Sequence, residues 1–167
     1  MTPYQQLCQA LGSANSDYSA YREQSFNFAL KLAAGLKAHL QAPEGTLRYV
    51  PLDKDDDGST GYTVMGAMHI GEDGFWHLGV ILRLEATGYR GHEIKLHLRF
   101  MRQGDAFKII PFTDHDEFVV QPATEESFRP VYLCIVQAID NYFRSGLTRQ
   151  LEKSGSMRSI GFHASAA

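Results

Sequence analysis

Alternation of apolar and polar positions dominates the middle of the chain. From Trp76 to Leu84 every second residue is apolar (Trp76, Leu78, Val80, Leu82, Leu84), and the residues between them are mixed in character. Strict alternation puts one set on each face of a half-buried strand. Tyr62, Val64, Gly66, Met68 and Ile70 form a matching set upstream, and Ile94, Leu96, Leu98 and Phe100 another downstream. Gly71 to Gly74 is a hairpin signal. With Glu72-Asp73-Gly74 as its loop and Gly74 left-handed, parity pairs Ile70 with Trp76, Met68 with Leu78 and Val64 with Leu82 on the inner face. A slip of one residue would mix the faces. His69 then lies opposite His77 on the outer face. A tight turn at Gly104-Asp105, glycine first, fits type II′ and pairs Phe100 with Ile109 and Arg102 with Phe107. Thr46 to Leu52 reads as an edge strand, since Pro51 cannot donate to a central ladder. Glu117 to Gln121 reads as a last strand.

Helical periodicity flanks this block. Thr2 can cap a short helix carrying Tyr4, Leu7, Cys8 and Leu11 on one stripe, with Gly12 as terminator and Ser13 to Ser16 as linker. A long helix from Ser16 or Asp17 to about Leu40 presents Phe26, Ala29, Leu30, Ala33, Leu36 and Leu40, widened by Tyr18, Tyr21 and Leu32. The last helix, capped at Ser127 with Pro130 in its first turn, carries Tyr132, Ile135, Val136, Ile139, Phe143, Gly146, Leu147 and Leu151. The predicted fold is α+β: a short N-terminal helix, a long helix, a four- to six-stranded antiparallel meander and a long C-terminal helix, with both long helices on one face of the sheet. Residues 1–153 form the single domain, and 154–167, rich in Ser, Gly and Ala, a flexible tail.

Composition narrows the classes of function. A chain of 167 residues, 44% hydrophobic and 21% charged, can bury a core without staples. A net charge of −3 and a pI near 6.1 supply no basic field for nucleic acid. No apolar run approaches membrane-spanning length. The N-terminus shows neither the basic start nor the apolar run of a signal peptide, so a cytoplasmic location is expected. Cys8 and Cys134 then read as free thiols inside helical stripes.

Candidate chemistry is sparse. Asp53, Asp55 and Asp57 with Gly58 match the first half of a calcium loop. The match fails at Val64, where the bidentate Glu should stand. His69, His77 and His97 share the outer face and include residue types that bind zinc, but His97 is expected opposite Ile81 or Arg83, away from the other two. His115, between Asp114 and Asp116, has the surroundings of a base but no nucleophile placed for it. Gly88 to Gly91 is no phosphate loop, because no helix follows. No cofactor fingerprint is present. The leading expectation is therefore a non-enzymatic protein-interaction module of the adaptor, inhibitor, immunity or secretion-chaperone kind. It would bind a protein partner, or a second copy of itself, through the outer sheet face. The parity argument puts Met65 beside Ile81, Ala67 beside Gly79 and Met101 near His77 as an apolar centre. Arg83, Lys95, Arg99 and the imidazoles of His69, His77 and His97 form its rim. One alternative is a small-molecule cavity between helices and sheet lined by Tyr62, Met68, Trp76 and Phe100. Another is a metal-dependent enzyme on the His69/His77/His97 face.

Overall fold

The computed structural model describes residues 1–58, 61–112 and 116–146, with the backbone of 162–166. The fold is α+β. Helix α1 (Pro3–Leu40) is followed by strand β1 (Leu47–Val50), a single helical turn α2 (Val64–Ala67), and strands β2 (Met68–Ile70), β3 (Trp76–Leu84), β4 (His92–Gln103), β5 (Ala106–Ile110) and β6 (Phe118–Val120). A 3-10 turn (Glu125–Phe128) leads into helix α3 (Arg129–Arg144), and the backbone of β7 (Phe162–Ala166) pairs with β4. The sheet is antiparallel in the order β1-β3-β4-β5-β6; β2 extends the β1 edge of β3, and β7 lies beside β4. His115, Leu147, Leu151 and the tail expected from 154 to 161 lie outside the described residues.

The two predicted hairpins have the expected registers. Ile70 pairs with Trp76, Met68 with Leu78, Phe100 with Ile109 and Arg102 with Phe107. Gly74 (φ 79°) and Gly104 (φ 61°) take the left-handed positions that these loops require. Upstream the expectation fails. Val64 does not pair with Leu82. Thr63 caps a helical turn there, its Oγ1 accepting from the Gly66 N–H at 3.0 Å, and Leu47 of β1 pairs with Leu82 instead.

The N-terminal helix is also longer than its sequence suggests. A capping box, in which Thr2 and Gln5 exchange side-chain and backbone bonds, starts α1, and it runs unbroken through Gly12 to Leu40. Glycine in a helix costs only about 1 kcal/mol relative to alanine. The stripe Tyr4, Leu7, Leu11, Ala14, Tyr18, Tyr21, Ser25, Phe28 and Leu32 therefore continues along one helix at alternating spacings of three and four. Its two halves have different fates. Ser25, Phe28, Ala29, Leu32, Ala33 and Leu36 are buried against the sheet. Residues 1–20 are all exposed, so the first half of the helix stands clear of the body as an arm.

Helices α1 and α3 cover the inner face side by side. The Tyr132 hydroxyl donates to the Leu32 carbonyl (3.3 Å), and a Cβ at Gly35 would meet the Tyr132 ring carbon Cζ at 2.8 Å. Gly35 is thus where the two helices come close enough for that bond. Burial pushes the Tyr132 hydroxyl, flanked also by Glu125, up to about 12, so it remains a donor at any physiological pH. Between helices and sheet, Phe28 stacks on Phe107 (4.0 Å, 7°) and Trp76 packs on Phe26 and Tyr21 (5.6 and 6.3 Å). Val131, Ile135 and Ile139 complete the core from α3. Ile135→Ala should lower stability by about 2–5 kcal/mol, read from chemical denaturation midpoints. A loss below 1 kcal/mol would mean that α3 does not pack on this face.

Candidate functional site

Both long helices occupy the inner face, so the outer face is where side-chain chemistry gathers. His69, His77 and His97 form a row across β2, β3 and β4. Ring centroids lie 5.1 Å apart for His69–His77 and 5.0 Å for His77–His97. The first pair is the expected cross-strand neighbour. The second corrects the expectation for His97: it pairs in register with Gly79, not with Ile81 or Arg83. Gly79 has no side chain, which leaves room for the His97 ring to lean diagonally onto His77. Their facing nitrogens, His77 Nδ1 and His97 Nε2, are 2.8 Å apart.

Hydrogen-bond partners assign the tautomers of His77 and His97 for the state in which both rings are uncharged. Burial would raise the Asp73 carboxyl, but the His77 bond, the Phe75 N–H and Arg99 outweigh it and hold it below its ordinary value. As a carboxylate it only accepts, so His77 Nε2 donates to it at 2.9 Å. His77 Nδ1 must then accept, and His97 Nε2–H is the donor. The row is a relay from Asp73 through His77 to His97. Burial, and then the charges of His77, Arg99 and His69, depress His97 to about 4, with Asp73 opposing. The His69 Nδ1 atom is buried without a hydrogen bond, 3.7 Å from Asp53 Oδ1.

The relay can orient an imidazole, but neither cysteine serves it. Cys8 is exposed on the arm, and Cys134, half-buried on α3, has its thiol pushed up by burial and then by Asp116. The geometry is also wrong for a shared metal. Two nitrogens bound to one tetrahedral zinc at 2.0–2.1 Å stand about 3.3 Å apart, whereas the His77–His97 separation is a hydrogen-bond distance. Among the described residues no group of three or more His, Cys, Asp or Glu is arranged to hold a metal ion. The acidic loop has other partners. Asp56 takes Arg48 in a two-pronged pair (3.0 and 2.9 Å), and Asp53 points toward His69, while Asp55 is exposed. Millimolar calcium should leave the melting temperature unchanged; a rise that grows with calcium would show a site by mass action.

The apolar centre expected on this face is laid out differently. Met65 (46% exposed) and Ala67 belong to α2, and Ala67 packs into the inner core. Strand β1 takes the place assigned to them. Arg48 lies beside Ile81 and Val50 beside Gly79, and Ile81 is only 4% exposed. The rim is not a free positive field either. Arg48 binds Asp56 and Glu93, Arg99 lies 3.7 Å from Asp73, and Arg83 meets Glu85 at 3.0 Å. Met101, Lys95 and the histidines remain half-buried.

Among the described residues a row of exposed large apolar side chains lies elsewhere, and the outer-face reading missed it. Tyr4 is 75%, Leu7 70%, Leu11 63% and Tyr18 51% exposed, all on the α1 stripe. The signal was in the sequence, where the spacings of three and four run through Gly12 without a break. A solvent-open cleft of about 720 Å³ between α1 and α3, floored by Phe128 and Tyr132, does not match the expected cavity. Trp76 and Phe100 are instead packed inside the core.

The class defined by this architecture is an α+β domain with two helices on one face of an antiparallel sheet and a helical arm beyond it. No protein-family model matches the chain, and neither curated proteins nor solved structures give a match. No described helix is long and apolar enough to cross a membrane.

The row itself makes a testable pH dependence. An unfolded histidine takes its proton near 6.5 and folded His97 near 4. The unfolded state therefore binds more protons between those values, and stability falls as pH drops through that window. Allowing for partial exposure, the loss should be about 1–2 kcal/mol. Urea midpoints at pH 7.5 and 4.5 measure it, and His97→Gln should flatten the difference. An equal slope in the variant would assign the loss to other groups.

Proposed function

We propose that the protein is a non-enzymatic interaction module whose contact surface is the N-terminal arm of α1, which packs against a helix of its partner. One observation carries this reading: four large apolar side chains stand exposed in line on the first half of α1, where none of residues 1–20 is buried by the described part of the domain. Isolated apolar residues on a surface are ordinary, but an aligned row on a projecting element is an interaction surface. The 3–4 spacing suits a helical partner, because it is the seam of a coiled coil. The outer sheet face, with Met101 and the histidine row half-buried, is the second candidate, supported by its being free of both long helices. A photo-reactive residue placed at position 7 and, separately, at position 101, tested in the native cell, distinguishes them. Adducts from position 7 alone are expected. Adducts from position 101 alone would move the contact to the sheet.

A further inference from the structure

We infer that the occupant of the arm is the same arm of a second copy of this chain, running antiparallel. The inference rests on the arm being the contact surface and names its partner.

The arm cannot account for its own helicity. From Pro3 to Ala20 it contains Gly12, Ser13, Asn15, Ser16, Asp17 and Ser19, all of weak helix propensity. Gly costs about 1 kcal/mol and the others up to about 0.7 kcal/mol each relative to Ala. Helices of this length draw their stability from burying an apolar face rather than from propensity. Nothing in the described body buries this one. A partner that packs along the stripe supplies the missing term.

Charge selects what that partner is. From Pro3 to Ala20 the arm carries a single charged side chain, Asp17 near its body end. Such a surface has little means to steer or choose a charged helix. It meets a copy of itself with little like-charge repulsion, which is the condition a two-fold, self-complementary interface must satisfy.

Sterics select the direction. Each arm joins its body at its C-terminal end, and there the same stripe turns into its own sheet at Tyr21 and Phe28. A parallel pair would bring both bodies to one end, where each needs that face of the helix for its own core. An antiparallel pair sends the bodies to opposite ends. Centred on residue 11, it sets Leu11 against Leu11 of the other copy and Tyr4 against Tyr18, with Gly12 beside the centre where the backbones approach. Eighteen residues span about 27 Å, a contact at the small end of specific interfaces, so the dimer should form at micromolar concentration and dissociate on dilution.

The experiment is light scattering on the purified full chain from 1 to 200 µM. The mass should rise toward twice 18.7 kDa. Leu7→Glu with Leu11→Glu should stay monomeric at 200 µM and keep the wild-type melting curve at 1 µM, where the arm is free in both. Leu11→Glu alone, a single exposed change, should cut the dimer fraction at least tenfold in association constant and guards against a folding defect in the double variant. A wild-type chain that is monomeric at 200 µM, or a double variant that still dimerises, overturns the inference. The adduct from position 7 separates this failure from failure of the parent reading. A mass of two chains supports the second copy. Any other mass overturns it while leaving the arm as the contact surface, and no adduct removes both.

Discussion

Phe28→Ala should lower the unfolding free energy by about 3–5 kcal/mol, the cost of emptying a large aromatic site in a packed core. Phe28 is 1% exposed, stacks on Phe107 at 4.0 Å and approaches Phe100 and Phe128 at 5.2 and 5.5 Å. Those rings belong to β5, β4 and the turn before α3. No single rigid movement of one element can fill the space, so most of the cavity should persist. Urea midpoints with an unchanged denaturant slope would report stability alone. Leu30→Ala is the control. Leu30 is 43% exposed, two residues along the same helix, and should cost less than about 0.5 kcal/mol. Equal losses at both positions would mean that α1 packs on a different face.

That pair of residues also shows what periodicity alone can resolve. The helix α1 was legible as a helix, and Ala29, Ala33 and Leu36 of its stripe are buried, but that stripe also holds Phe26, Leu30 and Leu40 and omits Phe28. The observed face is turned toward Phe28 and Leu32. Two apolar stripes overlap in this stretch, and only the geometry of the sheet decides between them. The hairpins were legible for a local reason. Gly74 and Gly104 fix loop lengths, and each loop length fixes a register. Where no single such marker exists, register was lost. The loop from Glu85 to Gly91 between β3 and β4 turns at Ala86 to Tyr89, with Gly88 at φ 80° and the Tyr89 N–H donating to the Ala86 carbonyl at 3.0 Å. Glycines at both 88 and 91 leave its length open in the sequence, however, and His97 was accordingly misplaced along β3. Val64 to Ala67 was lost to a true ambiguity. Four residues can satisfy a period of two and still close a helical turn, and the Thr63 cap decided the outcome.

The candidate surface followed the same logic. The row of histidines was half legible, because His69 and His77 depend only on the hairpin between them. The projecting arm was hidden by a rule applied too strongly. A glycine ends a helix where it takes the left-handed conformation itself, and Gly12 is absent from the glycines with positive φ. With the arm continuous, its stripe becomes one seam, buried in its second half and open in its first.

Gly79→Ala should cost about 1–3 kcal/mol and, unlike a core truncation, should act on one edge of the sheet. On an open outer face, as the sequence suggested, an added methyl would be harmless or mildly helpful to a strand. The structure puts a second strand against it. A Cβ at Gly79 would meet the Val50 carbonyl oxygen at 2.5 Å, Val50 Cγ2 at 2.8 Å and Leu52 Cδ2 at 2.9 Å. The first is backbone, so a side-chain rotation cannot relieve it, and β1 has to move. β1 is the edge that carries Arg48, whose pair with Asp56 holds the acidic loop against the outer face. Hydrogen exchange should therefore speed up at Leu47 to Val50, while β4 and β5 keep their protection. Gly79→Val should deepen both effects. A silent Gly79→Ala, in stability and in exchange, would mean that β1 does not lie here and that the outer face is open after all.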